Sequence, residues 1–189
     1  MKTLKRILSF VPPFVLWAML CVLVWGFVFT RVTDTDPKNK IVLCVDAEVP
    51  GDTALASVLE EELAGRVRMA QVRPFTYAMF DGETLTRADL FIVRASNAET
   101  YREWFAPLPA AFQEEDALLL LDGRPAGIRA YDAAEGRGIT TEYIRYLVPG
   151  AAQEDYYLFF GAESLHNAEL PAAVDDLAAE AARLLLKMQ

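Results

Sequence analysis

The sequence predicts an α/β fold: a mixed, largely parallel sheet flanked by helices in three layers, preceded by one N-terminal transmembrane helix. Three observations carry this reading. Residues 7–30, ILSFVPPFVLWAMLCVLVWGFVFT, hold no charge. Short runs rich in β-branched residues, KIVLCVDA at 40–47 and LFIVRA at 90–95, alternate with a helical stripe. A closing segment repeats apolar residues at helical spacing through Leu177, Ala181, Leu184 and Met188. Strand, helix, strand, short helix, strand is the order that gives parallel pairing through right-handed crossovers.

The uncharged run comes first. At about 1.5 Å per residue, the part from Pro12 or Pro13 to Thr30 rises roughly 27 Å, close to the hydrocarbon thickness of a bilayer. Both prolines fit best at the helix start, where a missing N–H costs least. Lys2, Lys5 and Arg6 precede the run, whereas both signs of charge follow it, which places the N-terminus in the cytoplasm and the remainder outside. A cleaved signal peptide is the competing reading. Its apolar region is shorter, about 7–15 residues, and ends in a small-x-small site that is missing here. Cys21 follows bulky Met19 and Leu20, unlike a lipidation site.

The expected organisation is therefore a cytoplasmic N-terminus at 1–6, a plasma-membrane anchor at 7–30, a polar tether at 31–39 and an extracytoplasmic domain at 40–189. That domain is long enough to bury a full core. The chain carries a net charge of −9, and because all four charges up to Arg31 are positive, the part beyond Arg31 carries −13. Such an acidic surface repels phosphate backbones, so nucleic acid is excluded as an expected partner, and so is an anionic lipid face.

Within the domain, 40–47 reads as a central strand covered on both faces, with Asp46 and Glu48 at its carboxyl end. Asp52 opens a helix to about Ala64, with Leu55, Val58, Leu59 and Leu63 on one stripe, and Gly65 ends it. A second strand is expected over 66–72 and a helical turn over 82–88, with Phe75, Tyr77 and Phe80 in a loop between them. The third strand, 90–95, leads into a helix capped by Ser96 and carrying Tyr101, Trp104 and Phe105. ALLLL at 117–121 and AGIRAY at 126–131 flank the Asp122-Gly123 turn as a hairpin. A loop over 132–138 is followed by a short helix from Thr140 to about Leu147, and DYYLFF at 155–160 is the sixth strand. Pro171 is expected as the first residue of the last helix.

Several of these segments resemble one lobe of the extracellular solute-binding proteins that serve bacterial ABC importers. KIVLCVDAEVPGDTALASVLEEELAGRVRMAQV through ADLFIVRAS is similar to their opening strand-helix-strand unit. LLLLDGRPAGIRAYD resembles their D-G-x-x-x-G turn, with Arg129 in place of the usual proline, and YYLFFGAESLHN resembles the segment that returns to the first lobe. The resemblance implies solute binding without catalysis. Those proteins have a second lobe, whereas only about two dozen residues separate Tyr131 from Asp155 here.

No nucleophile elbow, phosphate loop, dinucleotide fingerprint or paired-histidine motif is present, so the sequence predicts no enzyme and no cofactor. Two cysteines, Cys21 in the anchor and Cys44 in a strand, make no disulfide framework, and Cys44 reads as a buried small hydrophobe. A single histidine, His166, makes no zinc pattern and reads as a surface or capping residue. Ligands of such sheets sit beyond the carboxyl ends of the strands. The candidate ligand-binding residues are accordingly Asp46, Glu48, Tyr77, Ser96, Asn97 and Tyr131. Acids, hydroxyls and aromatics suit a polyol or a cationic small molecule. The alternative is a structural protein whose acidic domain and anchor recruit a membrane-protein partner.

Overall fold

A computed structural model describes residues 2–33, 35–46, 53–74, 86–115, 117–139 and 154–188. The chain divides into two compact units, Met1–Thr35 and Asp36–Gln189. The first is one helix, α1 (Lys2–Thr33). It continues through Pro12 and Pro13 instead of starting at them, forgoing the two amide bonds they cannot donate. Its described side chains, at 13–29, are all exposed, including Phe14, Leu16, Trp17, Leu23 and Trp25. Among the described residues no helix is long and apolar enough to cross a membrane.

The second unit is built on a seven-stranded mixed sheet. Its strands are β1 (Lys40–Val45), β2 (Met69–Pro74), β3 (Leu90–Arg94), β4 (Leu118–Leu121), β5 (Arg124–Asp132), β6 (Arg137–Gly138) and β7 (Tyr156–Phe160). The order is β2-β1-β3-β7-β5-β4, with β6 paired to β5. Among the described strands only β1–β2 and β1–β3 run parallel; the β3–β7, β5–β7, β4–β5 and β5–β6 pairs are antiparallel. The expectation of a largely parallel sheet is thus corrected. After β3 the chain abandons crossovers for a hairpin at Asp122-Gly123, and β7 returns antiparallel between β3 and β5. Asp122 and Gly123 both take positive φ, 50° and 74°, as this tight turn requires.

Alternation along the strands sends side chains to two cores. On one face Ile41, Leu43, Val45, Leu90, Ile92, Leu158 and Phe160 pack under α2 (Thr53–Glu62) and the C-terminal helix α4 (Leu177–Lys187). On the other, Val42, Cys44, Phe91, Val93 and Phe159 are covered by α3 (Ala95–Ala98) and by Tyr101, Trp104 and Phe105. Phe105 stacks on Phe159 with centroids 4.1 Å apart and meets Phe91 edge-on at 5.4 Å. Burying such side chains is worth roughly 2–3 kcal/mol each.

Local boundaries differ from expectation for identifiable reasons. Ser96 lies inside α3 and is exposed, so it does not cap it, and the three aromatics follow that helix in a turn containing the 3-10 segment Arg102–Trp104. The second strand begins at Met69 because Gly65, Arg66 and Val67 are spent in a turn after α2. The last helix begins at Leu177, six residues beyond Pro171, where the Asp175 carboxylate accepts from Leu177 N–H at 3.0 Å. Val174 is left half-exposed before it. Glu48, Tyr77 and the helix expected from Thr140 lie outside the described residues.

Candidate functional site

The chain leaves β1 toward β2 on one side and passes from β2 to β3 on the other, so the carboxyl ends of β1 and β3 form a switch point, the usual ligand crevice of α/β sheets. Asp46 follows β1 directly, anchored by its N–H to Ile92 C=O at 2.8 Å. Arg94 ends β3, and Asn97 is one turn along α3. The sequence brought Asp46 and Asn97 to the same place without revealing that Arg94 joins them.

The three side chains form a closed set. Arg94 donates from Nε to Asp46 Oδ2 and from Nη2 to Oδ1, each at 3.0 Å, and its backbone N–H reaches Oδ2 at 3.3 Å. Asn97 Nδ2 donates to Oδ2 at 2.8 Å. Asp46 is 6 % exposed, and both of its oxygens are engaged. These bonds hold the Arg94 guanidinium above its ordinary pKa, against its partial burial. Arg94 Nη1 makes no hydrogen bond among the described residues.

Arg94 and Tyr156 are register partners across β3 and β7, and Tyr156 pairs in turn with Tyr131 on β5. The two tyrosine rings meet edge-on, with centroids 6.1 Å apart. Tyr156 is fully buried, and its hydroxyl has no hydrogen-bond partner among the described residues. Burial raises its pKa first of all; the Arg94 charge opposes that rise, and Asp46 adds to it. Tyr101, stacked on Trp104 at 5.2 Å, is likewise raised by burial and by the Asp46 charge. A row of polar groups, Asp46, Arg94, Tyr156 and Tyr131, thus crosses four strands at one end of the sheet.

Of the candidate residues, Asp46 and Asn97 come together, Ser96 is exposed nearby, and Tyr131 is buried at the far end of the row. Arg94 and Tyr156 were missed. Arg94 is the only charge in LFIVRA, and a lone cation closing an apolar strand is a signal of a partner to be found at a strand end. Because Arg94 neutralises Asp46, this end offers donors more than acceptors. The rationale for a cationic ligand is weakened accordingly.

A second polar cluster lies at the opposite, amino ends of β1 and β3. Asp89 accepts from Val42 N–H at 2.8 Å and from Ser164 Oγ at 2.6 Å, and Ser164 Oγ accepts from His166 N–H at 3.0 Å. The imidazole turns away from the serine, toward Asp175 and the Pro37 and Lys40 carbonyls. His166 is 1 % exposed, which corrects the expectation of a surface histidine. Among the described residues no hydrogen bond joins Ser164 Oγ to a ring nitrogen. Among the described residues no group of His, Cys, Asp and Glu is placed to hold a metal ion.

Compared with known proteins, the chain matches no family model, no curated protein and no solved structure.

Proposed function

We propose that this chain is a membrane-anchored, extracytoplasmic binding module of the solute-binding-lobe type, non-catalytic, that takes a small polar solute at the carboxyl ends of β1 and β3. One observation carries it: at the switch point Arg94 pairs in register with Tyr156, whose buried hydroxyl has no hydrogen-bond partner among the described residues. Two donors at one strand end suit a ligand rich in acceptors, such as a carboxylate or a sugar. Support for the anchor comes from the uncharged run at 7–30, which rises about 36 Å as helix, from the exposed apolar side chains of α1 and from the cationic N-terminal flank.

The test is a thermal-shift screen of the full chain in detergent micelles against sugars, amino acids, dicarboxylates, polyamines and divalent cations. A solute that binds the native state raises the midpoint with its concentration. The expected result is a rise with a carboxylate- or hydroxyl-bearing solute that is lost in Arg94→Lys. No rise across the panel overturns the solute reading. Retention of the chain in alkaline-washed membranes tests the anchor separately.

A second reading, a structural protein that recruits a membrane partner, is favoured by the saturation of Asp46, whose oxygens are already occupied by Arg94 and Asn97. It predicts no solute shift and association with another membrane protein.

A further inference from the structure

The two edges of the sheet are built differently. β2 closes one edge with Arg73 and Pro74, a cation and a residue without an amide proton, which discourage strand addition. β4 closes the other with four consecutive leucines and neither a charge nor a proline. Leu120 is 56 % exposed, and Leu118, Leu119 and Leu121 are only partly covered. The irregular register between Leu119 and Leu120 is the only guard on this edge among the described residues.

Charge decides what fits the β4 edge. Residues 114–124 hold four carboxylates and one arginine; Glu114 and Glu115 are exposed before β4, whereas Asp122 after it is paired with Arg102 at 2.8 Å. A second copy would set two domains that each carry −13 beyond Arg31 edge to edge. An apolar strand with cations at the end that meets Glu114 and Glu115 satisfies both the leucines and the acidic flank.

We propose that the β4 edge accepts an extended, basic-flanked segment of a partner protein as an added strand. Main-chain hydrogen bonds supply affinity, the leucines receive alternate apolar side chains, and Glu114 and Glu115 set the sign of the partner. This surface is separate from the Arg94 end, so it stands or falls independently of the solute reading.

The test uses the full chain in detergent micelles and a fluorescent nonapeptide that alternates valine and threonine between terminal lysine pairs. A second peptide carries glutamate pairs instead. Anisotropy reads binding, and hydrogen exchange reads the amides of 118–121. The expected result is that the lysine peptide binds and slows exchange at those amides while the glutamate peptide does not. Leu120→Lys, with an unchanged melting midpoint, should weaken binding about tenfold by setting like charges together on the edge. The pair Glu114→Lys and Glu115→Lys should invert the preference between the peptides, which keeps the test decisive if Leu120→Lys folds poorly. The proposal is overturned by no binding, by binding that leaves exchange at 118–121 unchanged, or by protection of those amides that appears with protein concentration alone and makes a second copy the occupant.

Discussion

His166 Nδ1 lies 2.8 Å from Asp175 Oδ1, at the point where the chain turns into α4. The other ring nitrogen, Nε2, faces the Pro37 and Lys40 carbonyls, each at 3.1 Å. Acceptors on both sides are satisfied together only by a ring that carries two protons. The same histidine accepts Ala178 N–H on its own carbonyl at 3.0 Å, so one residue fastens the start of the last helix to the entrance of β1.

This joint should make stability depend on pH. Burial opposes the charge on His166, but Asp89, the bond to Asp175 and the Pro37 carbonyl outweigh it and raise its pKa. A raised histidine contributes stability that is complete below its unfolded value of about 6.5 and lost as pH rises through the folded value. Burial also pushes Asp89 up to about 6, against its bonds from Ser164 and Val42. The sign is the same: the folded state holds the extra proton, and stability falls as pH climbs from about 4 through 6. The melting midpoint is expected to be about 5 °C lower at pH 8 than at pH 6, and His166→Gln should flatten the fall. A midpoint that rises over this range would refute the assignment.

Asp46→Ala should cost about 3 kcal/mol in urea unfolding, because it strands a guanidinium whose side chain is only 27 % exposed. Adding Arg94→Met should recover part of that loss. A double variant no more stable than Asp46→Ala would show that the carboxylate matters for some reason other than Arg94.

Gly161→Ala should cost about 3 kcal/mol or more, since its methyl would lie 1.9 Å from the Ala88 carbonyl oxygen, a backbone atom that cannot step aside. At Gly127 the nearest atom is the Phe159 ring at 2.7 Å, and a ring can tilt. Gly127→Ala should therefore cost less, and the two midpoints in denaturant decide it.

Cys44 should resist alkylation in the folded chain. Burial pushes its thiol up to about 12, leaving almost no thiolate at pH 8. In a Cys21→Ser background, iodoacetamide labelling is expected only at denaturant concentrations that unfold the domain; labelling of the native protein would contradict the packing.

The parts of the fold that were legible are those written in local periodicity. IVLCV, LFIV and YYLFF are too apolar for anything but interior strands, the α2 stripe fixes its buried face, and Cys44 is buried as its setting required. Direction was not legible, because an interior strand has the same composition whether its neighbour runs with it or against it. The site was legible in half. Asp46 and Asn97 follow from strand ends, but the partner that neutralises Asp46 lies 48 residues away, and nothing local specifies it. The burial of His166 was illegible for the same reason: its acceptors come from Asp175 and from backbone carbonyls 126 and 129 residues earlier in the chain.

The position of β7 bears on the order in which the protein is made. Both of its neighbours, β3 and β5, precede it in the chain. Until residues 156–160 have left the ribosome, β3 and β5 lack the partner that lies between them in the finished sheet. Those residues are the keystone between the two strands. A nascent chain stalled before Tyr156 therefore exposes two inner edges to whatever is nearby, and its protection until that moment must come from chaperones or from speed.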